Sequence, residues 1–66
     1  MKALYPEVEV ELSGQDGNAF AIIGRVTSAM RHARLPEAAL SAFQVEAMSG
    51  DYDNVLRTAV RWVSVS

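Results

Sequence analysis

The sequence predicts an α+β domain in which three helices pack on a short two-stranded sheet, in the order β-α-α-α-β. Three observations predict it. Glu7-Val8-Glu9-Val10-Glu11-Leu12 alternates polar and apolar residues, the period of a half-buried strand. Residues 18–61 carry helical periodicity in three stretches, divided at Leu35-Pro36 and at Ser49-Gly50-Asp51. Trp62-Val63-Ser64-Val65-Ser66 then returns to period two. A lone first strand would leave backbone groups unpaired, so this last segment is expected to pair with Val8 to Leu12. The alternative is β-α-α-α, with the last helix running to the C-terminus, because a five-residue segment fits both periods.

The 66 residues form a single small domain. A chain of this size buries only about 60% of the surface its unfolded form exposes, so its stability margin is thin. The absence of cysteine excludes disulfides and thiolate chemistry, and leaves packing or oligomerisation to compensate. No apolar run is long enough to span a bilayer, and MKALYPEVEVEL lacks the apolar centre of a signal peptide, so the expected location is cytoplasmic with no membrane association. The net charge of −2 conceals an uneven distribution. Glutamates dominate the first strand, arginines the first helix, and acids the stretch from Glu37 to Asp53. Such blocks suit segments that complement one another better than a surface built for a polyanion.

In the first strand Val8, Val10 and Leu12 face the helices, and the three glutamates form a solvated row that discourages edge-to-edge aggregation. Pro6 stands at the strand's entry. Ser13-Gly14-Gln15-Asp16-Gly17 is a tight connection, not a phosphate loop: it lacks the glycine and lysine pattern, and Asp16 would repel an anion.

The first helix runs from an Asn18 N-cap to Arg34. One half of its cylinder holds Phe20, Ile22, Ile23, Val26 and Met30, and the other holds Arg25, Ser28, Arg31 and His32. The second begins at Pro36, which suits a first helical position, and ends before Gly50, a natural residue for the turn beyond a helix. Leu40, Phe43 and Ala47 form its stripe, whereas Val45 and Met48 lie off it. The third begins within Asp51 to Asn54, where either aspartate can cap, and continues through Val55, Leu56, Ala59 and Val60. The expected core is Val10, Leu12, Phe20, Ile23, Val26, Met30, Leu40, Phe43, Leu56 and Val60.

No chemistry-bearing pattern emerges. His32 has no orienting acid or nucleophile at a telling spacing, and Asp51-x-Asp53-Asn54 lacks the third acid, turn glycine and distal glutamate of a calcium loop. The expectation is therefore no catalytic residue, no cofactor and no metal.

Two blocks, Gly14-Gln15-Asp16-Gly17-Asn18-Ala19-Phe20 and Ser49-Gly50-Asp51-Tyr52-Asp53-Asn54 with Arg61-Trp62-Val63 after it, resemble a set of small uncharacterised proteins of bacteria, phages and other mobile elements. The resemblance covers most of the chain after Val8. It implies a small accessory protein acting on a larger host or phage assembly, and it brings no catalytic residue, cofactor or substrate.

The first functional expectation is thus a non-enzymatic interaction protein that binds a protein partner, itself or another. Val45, Met48 and Trp62 are the apolar groups least easily placed in one core, and the expected partner surface joins them with Glu46 and Arg61 at its rim. The second expectation is a nucleic-acid-binding accessory using Arg25, Arg31 and His32. It is the weaker one, because a helix-turn-helix reading would make 36–49 the recognition helix, with Glu37 and Glu46 and no base.

Overall fold

The computed structural model describes residues 3–12 and 18–66. Residues 13–17, read above as a tight connection, lie outside them. The element order is β1 (Tyr5–Val10), α1 (Ala19–His32), α2 (Glu37–Ala47), α3 (Tyr52–Trp62) and β2 (Val63–Val65), the α+β arrangement that the two periodicities predict.

β1 and β2 pair in parallel, with Glu9 opposite Ser64 and Val10 opposite Val65. Parallel strands need a long crossover, and here the three helices are that crossover. Val8, Val10 and Val63 point into the core, and Glu7 and Glu9 point to solvent. The ladder extends past β1, where Ser66 N–H donates to Val10 O (2.9 Å) and Leu12 N–H to Ser66 O (3.0 Å). The strand also begins earlier than the alternation suggests, at Tyr5. Between Tyr5 and Glu9 the register is irregular, so Tyr5 leaves the alternation and packs its ring 5.9 Å from that of Trp62. Pro6 tolerates this segment because its carbonyl accepts from Ser64 Oγ (2.7 Å) and it need donate nothing.

Each helix end is held by a named group. Asn18 Oδ1 accepts from Phe20 N–H (2.9 Å) and Ala21 N–H (3.3 Å), the expected N-cap of α1. α1 ends in a Schellman turn, with Leu35 N–H donating to Met30 O (3.1 Å) and Arg34 N–H to Arg31 O (3.0 Å). Arg34 occupies the left-handed position with φ 65°. Pro36 is the N-cap of α2 and not its first helical residue, and its carbonyl accepts from Ala39 N–H and Leu40 N–H. Asp51 caps α3 through Asn54 N–H (3.0 Å). Asn54 in turn donates from Nδ2 to the carbonyls of Glu46 (2.9 Å) and Ala47 (3.2 Å), so α3's first turn caps the end of α2. That close approach suits Gly50: a Cβ there would lie 3.0 Å from Asn54 Cβ, a tight contact. Gly50 falls two residues beyond the α2 C-cap, Met48, rather than directly after it.

The core contains Val10, Ile23, Val26, Met30, Leu40 and Phe43 as expected, with Leu12 and Leu56 packed at its margin. Two expected members are not in it: Phe20 is 72% exposed and Val60 61% exposed. In α1 the buried stripe is Ile22, Ile23, Val26, Thr27 and Met30, and Phe20 in the first turn lies outside that arc. In α3 the buried positions are Val55, Thr58, Ala59 and Trp62, a phase that turns Val60 outward.

Two stability outcomes follow from this packing. Phe43 is fully buried, so Phe43→Ala should lose about 3–5 kcal/mol, whereas Phe20→Ala should change stability by less than about 0.5 kcal/mol in urea titrations of both. Arg34→Gly should raise stability by about 1 kcal/mol, because glycine bears no Cβ penalty in the left-handed position. Arg34→Ala, which keeps that penalty, should give no comparable rise in the urea midpoint.

Candidate binding surfaces

Of the five residues expected to form one partner surface, the structure buries one, Trp62, and ties two others, Glu46 and Arg61, to each other beside it. Trp62 is only 8% exposed, and its burial removes it from any partner surface. Its ring meets Phe43 edge-on at 5.8 Å and Tyr5 at 5.9 Å, and its Nε1–H donates to Glu46 Oε1 (3.3 Å). The other Glu46 oxygen pairs with the Arg61 guanidinium. Glu46 and Arg61 therefore tie α2 to α3 beside the tryptophan. An amphipathic ring at a helix end gave no sign, from sequence alone, that two other rings would enclose it.

Val45 and Met48 remain on the surface, 73% and 58% exposed. Met48 lines an apolar cleft of about 190 Å³ between the N-terminal turn of α1 and the connection from α2 to α3. Phe20 and Tyr52 stand at its mouth, both exposed, and Ile23, Ala47 and Val55 form its buried floor. Val45 is not among its lining residues. The sequence singled out Met48 but assigned Phe20 to the core.

A second, more polar groove of about 500 Å³ lies between β1 and α1. Glu9, Val10 and Glu11 form one wall, and Ala21, Arg25, Ser28, Ala29 and His32 the other. No hydrogen bond or ion pair joins Glu9, Glu11, Arg25, Ser28 or His32 to one another. The arginine and histidine of the nucleic-acid expectation thus share their groove with two carboxylates, and Arg31 is turned to Glu37 (3.8 Å) in an exposed pair.

Among the described residues, no group of three or more acidic, histidine or cysteine side chains is placed to hold a metal ion. No described helix is long and apolar enough to cross a membrane. No family model matches the chain, and no curated protein and no solved structure matches it.

The different settings of Met48 and Trp62 have opposite consequences for a charged replacement. Met48→Glu should keep the helical circular dichroism signal and a cooperative unfolding transition. Trp62→Glu would place an unpaired carboxylate among Tyr5 and Phe43, and should abolish the folded signal at 25 °C.

Proposed function

We propose that the chain is a non-enzymatic interaction module that binds a protein partner through the apolar cleft formed by Phe20, Met48 and Tyr52. The observation that carries this reading is the convergence of three large exposed side chains on one cleft with an apolar floor. A small domain with a thin stability margin gains nothing by holding a phenylalanine in water, whereas covering such a side chain returns about 1.5–3 kcal/mol. Aromatic residues and methionine are also the types enriched at interface centres. The cleft has the volume of one large side chain, so the partner's anchor is a single aromatic or branched aliphatic residue. A standard interface takes about 800 Å² from each partner. On a chain exposing 4281 Å² that is roughly a fifth of its surface, enough for the cleft and a polar rim.

The β1–α1 groove supports the non-enzymatic part of the reading. It holds a serine, a histidine and carboxylates, but they are exposed and unbonded to each other, whereas general-base catalysis needs a nucleophile and base within hydrogen-bond reach. The same carboxylates weigh against nucleic acid as the partner, since they oppose phosphate beside Arg25 and His32.

The test is photo-crosslinking in the cells that make the protein, with benzoylphenylalanine at position 20 and, as a surface control, at position 60. Irradiation should give a heavier adduct from position 20 only, and Met48→Glu in the same chain should remove it while the circular dichroism spectrum is unchanged. An adduct of twice the chain's mass identifies the partner as a second copy, and any other mass a different protein. No adduct, or equal adducts from both positions, overturns the proposal.

A further inference from the structure

The row of glutamates on β1 and the groove beside it have no part in the apolar cleft. Among the described residues β1 has one strand neighbour, β2, and so has an open edge. Along a strand, successive residues direct their N–H and C=O groups to opposite sides. Val10 and Leu12 direct theirs to the β2 side, as the bonds of Ser66 to Val10 O and of Leu12 to Ser66 O show. Glu9 and Glu11 therefore present their N–H and C=O to the open edge, where the groove lies. An unpaired edge facing an open groove, with a helix as its far wall, is the geometry that accepts an added strand.

The size and charge of the groove say what kind of strand. The strand-side wall of the groove runs from Glu9 to Glu11, so it takes about three residues of added strand at about 3.3 Å each. Alternate side chains of that segment would fall on the outer face of the sheet, beside Glu7, Glu9 and Glu11. The intervening ones would face α1, where Arg25, Ser28 and His32 leave room for small or acidic groups. A second copy's β1 is excluded as the natural occupant, since pairing the two strands would set glutamates against glutamates. We propose that the open edge of β1 binds an extended segment of another protein with lysine or arginine at alternate positions and small or acidic residues between them.

The test uses the full ¹⁵N-labelled chain and a blocked heptapeptide, acetyl-Lys-Thr-Lys-Asp-Lys-Thr-Lys-amide, followed by amide chemical shifts. Saturable shifts are expected at Glu9, Glu11 and Arg25, with half-saturation at or below about 1 mM. The same peptide N-methylated at alternate amides keeps its charge but loses the strand bonds, and should bind roughly tenfold more weakly or less. A peptide with glutamate in place of every lysine should not bind, and the double variant Glu9→Lys, Glu11→Lys should bind it in preference. Equal binding of the N-methylated peptide would reduce the effect to charge attraction and overturn the proposal. So would the absence of shifts up to about 5 mM peptide, shifts mapping to the Phe20 cleft, or shifts at Glu9 and Glu11 that depend on protein concentration without peptide, which would make a second copy the occupant.

Discussion

Trp62 is the residue through which the helices and the sheet hold each other. It is the last residue of α3, and β2 begins at the next residue with no loop between. Its ring lies against Tyr5 of β1 and Phe43 of α2, and its N–H reaches Glu46. One side chain therefore fixes where the helix stops, which face of β2 turns inward, and where β1 must lie to be paired. Val63, the C-cap of α3, donates to Ala59 O while already extended, so its N–H stays bonded as the backbone changes from helix to strand. In a chain without disulfides, such a shared contact does what a cross-link does elsewhere, tying together segments distant in sequence.

The rest of the architecture follows from how short connections are made to close. Between α1 and α2 the chain turns through Arg34 in a left-handed conformation, with Leu35 packed back against the core. Between α2 and α3 it turns through Gly50, chosen for space and not for a positive φ, because Asn54 must come close enough to cap α2. Asn54 thus serves two helices, receiving a cap from Asp51 and giving one to Glu46 and Ala47. One polar exception stands inside this packing: Thr58 is fully buried and its hydroxyl has no hydrogen-bond partner, unlike Thr27, whose hydroxyl bonds to Ile23 O.

Thr58 also explains what the sequence left illegible. The buried positions of α3 are 55, 58, 59 and 62, a regular helical stripe, but one member is a threonine and another was assigned to the following strand. Reading only the apolar residues displaced the stripe toward Val60, which is exposed. In α2, where Ala39, Leu40, Phe43 and Ala47 are all apolar, the same reasoning found the buried face without error. Phe20 was misplaced for another reason: periodicity fixes an angle around a helix but not how wide an arc the neighbours cover. At the first turn of α1 the neighbouring α2–α3 connection stops at Met48 and Tyr52, leaving a cleft where a core was expected. The elements and the caps at Asn18 and Asp51 were legible because each rests on local geometry, and the strand pairing because a lone strand would leave its backbone groups unpaired. Of the site, only Met48 was legible in that way, since the convergence of Phe20 and Tyr52 on it depends on tertiary placement.

Charge shows the same division between local and tertiary information. The uneven blocks of the sequence meet in part between neighbouring helices: Glu37 of α2 faces Arg31 of α1, and Glu46 of α2 pairs with Arg61 of α3. The first of these is exposed and contributes little, about 0–1 kcal/mol. The second is part of the Trp62 contact and has a structural role because its carboxylate also accepts from the indole. Four of the remaining titratable groups come together. Glu9 on β1 and Glu11 just past its end, and Arg25 and His32 on α1, line opposite walls of one groove without meeting across it. Opposite charges share this groove without pairing across it. The spacing follows from the core beneath: Val10 and the buried face of α1 set the distance between sheet and helix, and small residues, Ala21 and Ala29, keep the groove open on the helix side.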